Sequence, residues 1–240
     1  MRRNIKKVWT DIVEKNKPTG MSKAEQTRQH QARMTDMQRY VDMSEEKRVE
    51  LLKVLKSPAS DCDKTIIEKG VLIYTRLLEV ADTLKRDIEA QGYTCYLITS
   101  AQSQKVRSNI VETFKKDSSN TVIIISDAGG ESVSLQATNE IIMYNVPRGP
   151  GRWTQVLGRV ARMFSKYEGF NVHFIMVEDS IDEYSQILLS AKKELEEEIL
   201  SADTIPLREE KSFNNLLLKK IRQGLLWKNG RTKKNPKLVD

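Results

Sequence analysis

Three side chains in the segment QVLGRVAR have types and a spacing that suit phosphate chemistry. Gln155, Arg159 and Arg162 stand four and three residues apart, and on a helix that spacing puts all three on one face. A guanidinium is permanently charged and offers forked donors, so two of them on one face match a triphosphate. The same pattern also describes two surface arginines in ion pairs. Gly158, inside the segment, is expected to let the helix approach a neighbour closely. A second segment reads SDAGGESVSLQ. Gly129 and Gly130 leave backbone N–H groups open to a phosphate, and Ser126 adds a hydroxyl. A Gly-Gly pair is also what an ordinary turn uses.

Other chemistry is missing from the sequence. None of the 11 glycines is followed by Lys, so a GxxxxGK[ST] phosphate loop does not occur. Cys62, Cys95, His30 and His173 are scattered, which gives no zinc spacing and no disulfide framework. No metal ligands are therefore expected, and the compartment is read as reducing and intracellular. No run of 18 apolar residues occurs, so no membrane helix is expected. The start, MRRNIKKVW, is not followed by an apolar stretch, so no secretory signal is expected.

The elements that must position these side chains follow from apolar patterning. VLIY (71–74), TCYLI (94–98), TVIIIS (121–126), EIIMY (140–144) and the stretch 171–177 read as strands, VLIY as one buried on both faces. Between them, helices are expected with Leu78, Ala81, Leu84 and Ile88 on one face, then over about 103–116 with Val106, Ile110 and Phe114, then over about 152–163. A last helix is expected over about 180–200. Such alternation predicts an α/β fold, a mostly parallel sheet with helices on both faces. Ligands of such sheets lie at the carboxyl ends of the strands, so the loops after Ile98, Ile125 and Tyr144 are the places for chemistry.

Charge is distributed unevenly. Residues 1–60 hold 14 basic and 8 acidic side chains, residues 61–200 hold 16 and 21, and residues 201–240 hold 10 and 4. This suggests an acidic body between basic arms that meet a polyanion, or arms that only keep the protein soluble. Residues 1–65 read as a basic, partly helical arm and linker, in which Ser22–Arg33 is a solvated helix or disordered and Ser44 caps a helix carrying Val49, Leu52 and Leu55. Residues 66–200 read as the body. Residues 201–240 read as a basic tail, with Phe213, Leu216, Leu217, Ile221 and Leu225 on one possible helix, then Trp227 and the stretch 228–237.

Five segments, in order, resemble lobe two of the superfamily-two helicases, and within them the Swi/Snf-like ATPases, over about residues 66–200. KGVLIYTRLLEVADTLKRDIEAQGY resembles motif IV and its helix. LITSAQSQKVRSNIVETFKKD is similar to the segment that carries a small-residue turn, an Arg and a Phe. SDAGGESVSLQ resembles motif V, YNVPRGPGRWTQVLGRVARM motif VI with its approach, and SIDEYSQILLSAKKE the closing helix. The resemblance implies a RecA-like lobe. It implies that Arg162 is the arginine finger at the ATP γ-phosphate, with Arg159 beside it and Gln155 coupling nucleotide to the motif. It implies that Ser126, Gly129 and Gly130, with Thr99, Ser100 and Arg107, meet a nucleic-acid backbone.

Departures from the family pattern are Ser132 for Gly, Ser126 for Thr, Ala161 for His, and Met163-Phe164-Ser165 for Ile-Gly-Gln. Asp182-Glu183 resembles the family's structural Ile-Asp-Glu rather than a Mg²⁺ motif. The phosphate loop, the Mg²⁺ carboxylate and the catalytic base belong to lobe one, which residues 1–60 are too short and polar to form. The expectation is half of an ATPase. A separate lobe-one subunit with Walker A and B motifs would hold ATP and Mg²⁺, and the composite would act on duplex DNA. The alternatives are a catalytically inactive module that binds nucleic acid or a protein, and a fragment of a longer gene.

Overall fold

The structure is a computed structural model, and it describes residues 22–126, 137–159, 167 and 169–201. Helix α1 spans Lys23–Asp42 and α2 spans Glu45–Leu55. The short α3 (Ile66–Lys69) leads into β1 (Val71–Tyr74). Then follow α4 (Leu78–Glu89), β2 (Thr94–Ile98), α5 (Gln104–Lys116) and β3 (Thr121–Ile125). The chain continues through β4 (Glu140–Met143), α6 (Pro150–Leu157), β5 (Asn171–Phe174) and α7 (Ile181–Ser201).

The five strands form one parallel sheet in the order β2-β3-β1-β4-β5. Alternate residues of each strand face opposite sides, and each side has its own helices. Val71, Ile73, Val122, Ile124 and Ile142 pack with Leu51 and Leu55 of α2, Ile66 and Ile67 of α3, and Ala81, Leu84 and Ile88 of α4. Leu72, Tyr74, Ile123, Ile125, Ile141 and Met143 pack with Val111 and Phe114 of α5 and Val156 of α6. The expected α/β sheet with helices on both faces is therefore present, and it is entirely parallel.

Helix α2, which precedes residue 66, packs on the sheet. Leu51 and Leu55 are fully buried in the sheet's own core, and burying each side chain stabilises by roughly 1.5–3 kcal/mol. The buried face of α2 is Lys47, Leu51 and Leu55, while Val49 is exposed. Ser44 sits at the N-cap position, but its hydroxyl makes no capping bond. The segment read as solvated or disordered is the first half of α1. It opens with a capping box in which Ser22 Oγ accepts from the Glu25 N–H and the Glu25 carboxylate accepts from the Ser22 N–H. The second half of α1 turns apolar, and Met37 and Val41 pack on Ile181 of α7.

At the other side, α7 packs on α6. Trp153 stacks on Phe174 of β5 with ring centroids 5.5 Å apart, and Lys193 Nζ lies 4.5 Å from the Trp153 ring. Cys95 is buried in β2, where loss of hydration pushes its thiol up to about 12. Among the described residues, no helix is long and apolar enough to cross a membrane. The expected tail, 201–240, lies outside the described residues except for Ser201, as do residues 1–21.

Candidate functional site at the carboxyl edge of the sheet

Parallel strands bring their carboxyl ends to one edge, and the register fixes which residues meet there. Ile98 pairs with Ile125, Ile125 with Tyr74, and Tyr74 with Met143. The next residues are therefore neighbours along that edge: Thr99, Ser126, Thr75 and Tyr144. Thr99 and Ser126, read from two separate segments of the sequence, sit on adjacent strands about 4.8 Å apart. Ser126 is buried, Thr99 is half-buried and Ser100 is exposed.

The turn after β2 is closed by Gln102, which sequence reading did not single out. Its Oε1 accepts from the Thr99 N–H at 3.1 Å, and its Nε2 donates to the Leu97 carbonyl at 2.9 Å. Ser103 then caps α5 by accepting from the Val106 N–H. Arg107 follows one turn on. Its Nε is buried and has no hydrogen-bond partner among the described residues.

A buried polar network under the edge holds the central loops. Asn145, just past β4, accepts from Thr75 Oγ1 and from the Arg76 N–H, both at 2.9 Å. Its Nδ2 donates to both carboxylate oxygens of Asp42 at 2.8 Å. Lys47 Nζ lies 2.8 Å from Asp42 Oδ1 and 2.7 Å from Asp182 Oδ2. Gln38 Nε2 donates to both aspartates, and the Val177 N–H donates to Asp182. The Tyr144 hydroxyl donates to the Asp42 carbonyl at 2.6 Å, and Lys47 lies over the Tyr144 ring. One ammonium serves two carboxylates in a site closed to water. Burial pushes the Asp42 carboxyl up, and the Lys47 charge opposes that shift. Asp182 thus joins α1, α2 and α7, and both of its oxygens are engaged.

A second network lies at the opposite, amino-terminal edge. The buried Glu140 carboxylate receives Lys69 Nζ at 2.6 Å and Asn171 Nδ2 at 2.8 Å, and it lies 2.8 Å from His173 Nε2. Burial alone would raise Glu140, but the His173, Lys69 and Asn171 bonds hold it below the usual range. Lys69 and Asn139 also hold Asp61, bringing its carboxyl down to about 2, with the Lys69 bond the main cause. This network fixes the start of β4 and β5, far from the chemistry-bearing loops.

The helix read as 152–163 begins at Pro150 as α6, with Pro in its first turn, and the described helix ends at Leu157. Gln155 is exposed, and its Oε1 accepts from Arg152 Nη1 at 3.0 Å. Arg159 is half-buried just beyond the helix. Among the described residues, a Cβ at Gly158 would meet carbonyl oxygens of its own turn. Gly158 occupies the C-cap position of α6. Arg162, Gly129 and Gly130 lie outside the described residues. Of the nine expected site residues, the fold thus places Thr99, Ser100, Ser126 and Arg107 on the β2–β3 side of the edge. It places Gln155 and Arg159 on the chain that follows β4. Sequence reading missed Asn145, Lys47 and Asp42; the one available signal was a polar Asn directly after an apolar strand.

The profile of the helicase conserved C-terminal domain matches residues 46–164. YwqA of Bacillus subtilis (strain 168) is 24% identical over 159 residues, which is 66% of this chain and 16% of that protein. ATP-dependent helicase fft3 of Schizosaccharomyces pombe is 27% identical over 129 residues, 52% of this chain and 14% of that protein. The chain thus spans about a sixth or less of the length of these relatives. Two solved structures share the fold. The Sulfolobus solfataricus SWI2/SNF2 ATPase core in complex with dsDNA aligns with a TM-score of 0.60 and 16% identity, over 84% of this chain and 42% of that one. The C-terminal part of the Fun30 ATPase domain aligns with a TM-score of 0.52 and 18% identity, over 93% and 75%.

Proposed function

Because this chain belongs to the helicase C-terminal domain family, we propose that it works as the second lobe of an ATP-dependent DNA translocase whose first lobe is a separate polypeptide. The observation that carries the reading is the shared carboxyl edge. Thr99 and Ser126 meet there from adjacent strands, and the chain leaving β4 carries Gln155 on α6 and Arg159 just beyond it. Nucleic acid would be met by the backbone and hydroxyls of Ser126, Gly129 and Gly130, with Thr99, Ser100 and Arg107 beside them. The buried Nε of Arg107, partnerless among the described residues, fits a phosphate oxygen.

On the other side of the edge, Arg162 and Arg159 would contact the ATP phosphates, and Gln155 would tie that contact to the rest of α6. A guanidinium stabilises charge that develops on the transferred phosphoryl group, an effect worth roughly 10³–10⁵ in turnover. ATP is the substrate. Its Mg²⁺ is assigned to lobe one, since these 240 residues contain no GxxxxGK[ST] loop. The setting is intracellular and nucleic-acid-associated. Duplex DNA is favoured over RNA by the likeness to a core solved with dsDNA.

The test is reconstitution. The purified chain is expected to show no ATPase activity alone, and DNA-stimulated activity when the polypeptide that co-purifies with it stoichiometrically is added. Robust turnover by the chain alone would exclude the separate lobe. A stable complex with nucleic acid and no turnover under any condition would favour the inactive module.

A further inference from the structure

Between α1 and α7 lies a groove of about 180 Å³ that none of the assignments above uses. Its lining includes Arg76, which follows β1, Arg148, which follows β4, and Lys192 of α7. Gln31, Tyr184 and Ser185 add polar groups to the lining. None of the described residues that line it is acidic.

Lys192 is tied by the fold to the main chain of Arg148. Lys192 Nζ donates to the Arg148 carbonyl at 2.8 Å, so the ammonium is fixed to the residue that carries the neighbouring guanidinium. Among the described residues, the Arg148 Nη2 reaches the Thr35 hydroxyl, at 3.4 Å. Burial and then the Arg148 charge both lower the Lys192 ammonium from its ordinary range. Like charges held together in a part-buried groove repel, and an anion between them removes that repulsion.

We infer that the α1–α7 groove binds a phosphate group, with Arg148 and Lys192 as its principal ligands and Arg76 at its floor. Phosphate is favoured over a bulkier anion by size, since the cavity is well below the roughly 300–1,000 Å³ of drug-sized ligands. It is favoured also by the mixture of forked guanidinium donors with a point-charge ammonium, which matches several oxygens on one centre. The phosphate could belong to a nucleic-acid backbone or be free in solution. None of the groove's lining residues is among those assigned to ATP or DNA, so its test and that of the translocase reading fail independently.

The experiment uses the full chain. Thermal unfolding is followed in sodium phosphate, in pyrophosphate and in sodium chloride of matched ionic strength. A phosphate-specific rise in Tm of about 3–6 °C is expected at roughly ten times Kd. The double variant Arg148→Gln/Lys192→Gln should lose that rise. Lys192→Arg, which keeps the cation, should retain it, as should Lys53→Gln/Lys115→Gln, which removes exposed cations elsewhere. Equal shifts in phosphate and chloride overturn the site, as does an undiminished rise in the double variant. A rise with a poly-glutamate peptide and none with phosphate overturns it too. Anisotropy with a DNA duplex separates the two sources. A roughly tenfold loss of affinity in the double variant, with the log–log salt slope reduced by about 0.9, assigns the phosphate to the backbone. Unchanged DNA binding with the thermal response lost assigns it to free phosphate.

Discussion

Lys47 Nζ lies 2.7 Å from Asp182 Oδ2, although 135 residues separate them in the chain. Both side chains are closed to solvent, and Asp42 shares the same ammonium. The pair fastens the first two helices to the last one, and through Asn145 it reaches the loops after β1 and β4.

Lys47→Met would leave two buried carboxylates without their cation. A loss of about 3–5 kcal/mol is expected by chemical denaturation, because an unpaired buried charge costs more than the pair contributes. Asp182→Asn should cost less, since Lys47 keeps Asp42. A loss below about 1 kcal/mol for Lys47→Met would mean that the network does not hold the helices together.

Acid should destabilise the protein partly through Asp61 and Glu140. Both carboxyls titrate lower in the folded chain than their ordinary values of 3.8 and 4.5. The unfolded state therefore binds more protons in that window, and the stability they supply above it is lost as pH falls, towards about 2 for Asp61. Asp42 has the opposite sign. Its carboxyl is raised above 3.8, so the stability tied to it declines as pH rises through that window. Denaturation between pH 5 and pH 2 should show a smaller acid loss for Asp61→Asn than for the wild type.

Arg162→Ala should lower the ATPase activity of the reconstituted complex by roughly 10³–10⁵ while pull-down of the partner is unchanged. Arg159→Ala should lower it less. Full activity in Arg162→Ala would remove the finger assignment.

Arg107→Gln should weaken binding to duplexes of any sequence to a similar degree and reduce the salt slope by about 0.9, the share of one phosphate contact. An unchanged slope would mean that the guanidinium serves the fold alone.

Gly70 and Gly92 both adopt positive φ, +80° and +84°. Around Gly92 a Cβ would meet open space, so Gly92→Ala should cost only about 1–2 kcal/mol for the left-handed backbone. A Cβ at Gly70 would collide with the backbone carbonyl and Cβ of Ser118. Gly70→Ala should therefore cost clearly more in denaturant unfolding, and equal costs would contradict the packing at that turn.

Strands were the most legible part of the sequence. VLIY, TVIII and EIIM are continuous apolar runs because both faces of those strands are covered, and each was read within a residue of its observed end. The stretch to residue 177 was read too long, because Ile175 is the last residue to bond β4 and Val177 instead donates to Asp182. Helix faces were less legible. Leu78 and Val106 fit the apolar spacing, yet both are exposed, and Val80 and Val111 are buried in their place. At the site, parallel order places the loops of Thr99 and Ser126 at one edge in advance, but that their strands are neighbours comes only from the sheet order. Lys47 could not be, because a lysine in a charged first turn looks like surface until a carboxylate from the far end of the chain is seen beside it.

That long separation has a consequence for biosynthesis. At roughly 5–20 residues per second, the ribosome needs about 7–27 s to add the 135 residues that lie between Lys47 and its second carboxylate. During that interval α1 and α2 can form, and Asp42 alone pairs with Lys47. Leu51 and Leu55 can pack on β1 and α4, which emerge earlier, while the Asp182 part of the network is still missing. Its final closure is timed by the emergence of α7, near the end of translation of the described residues.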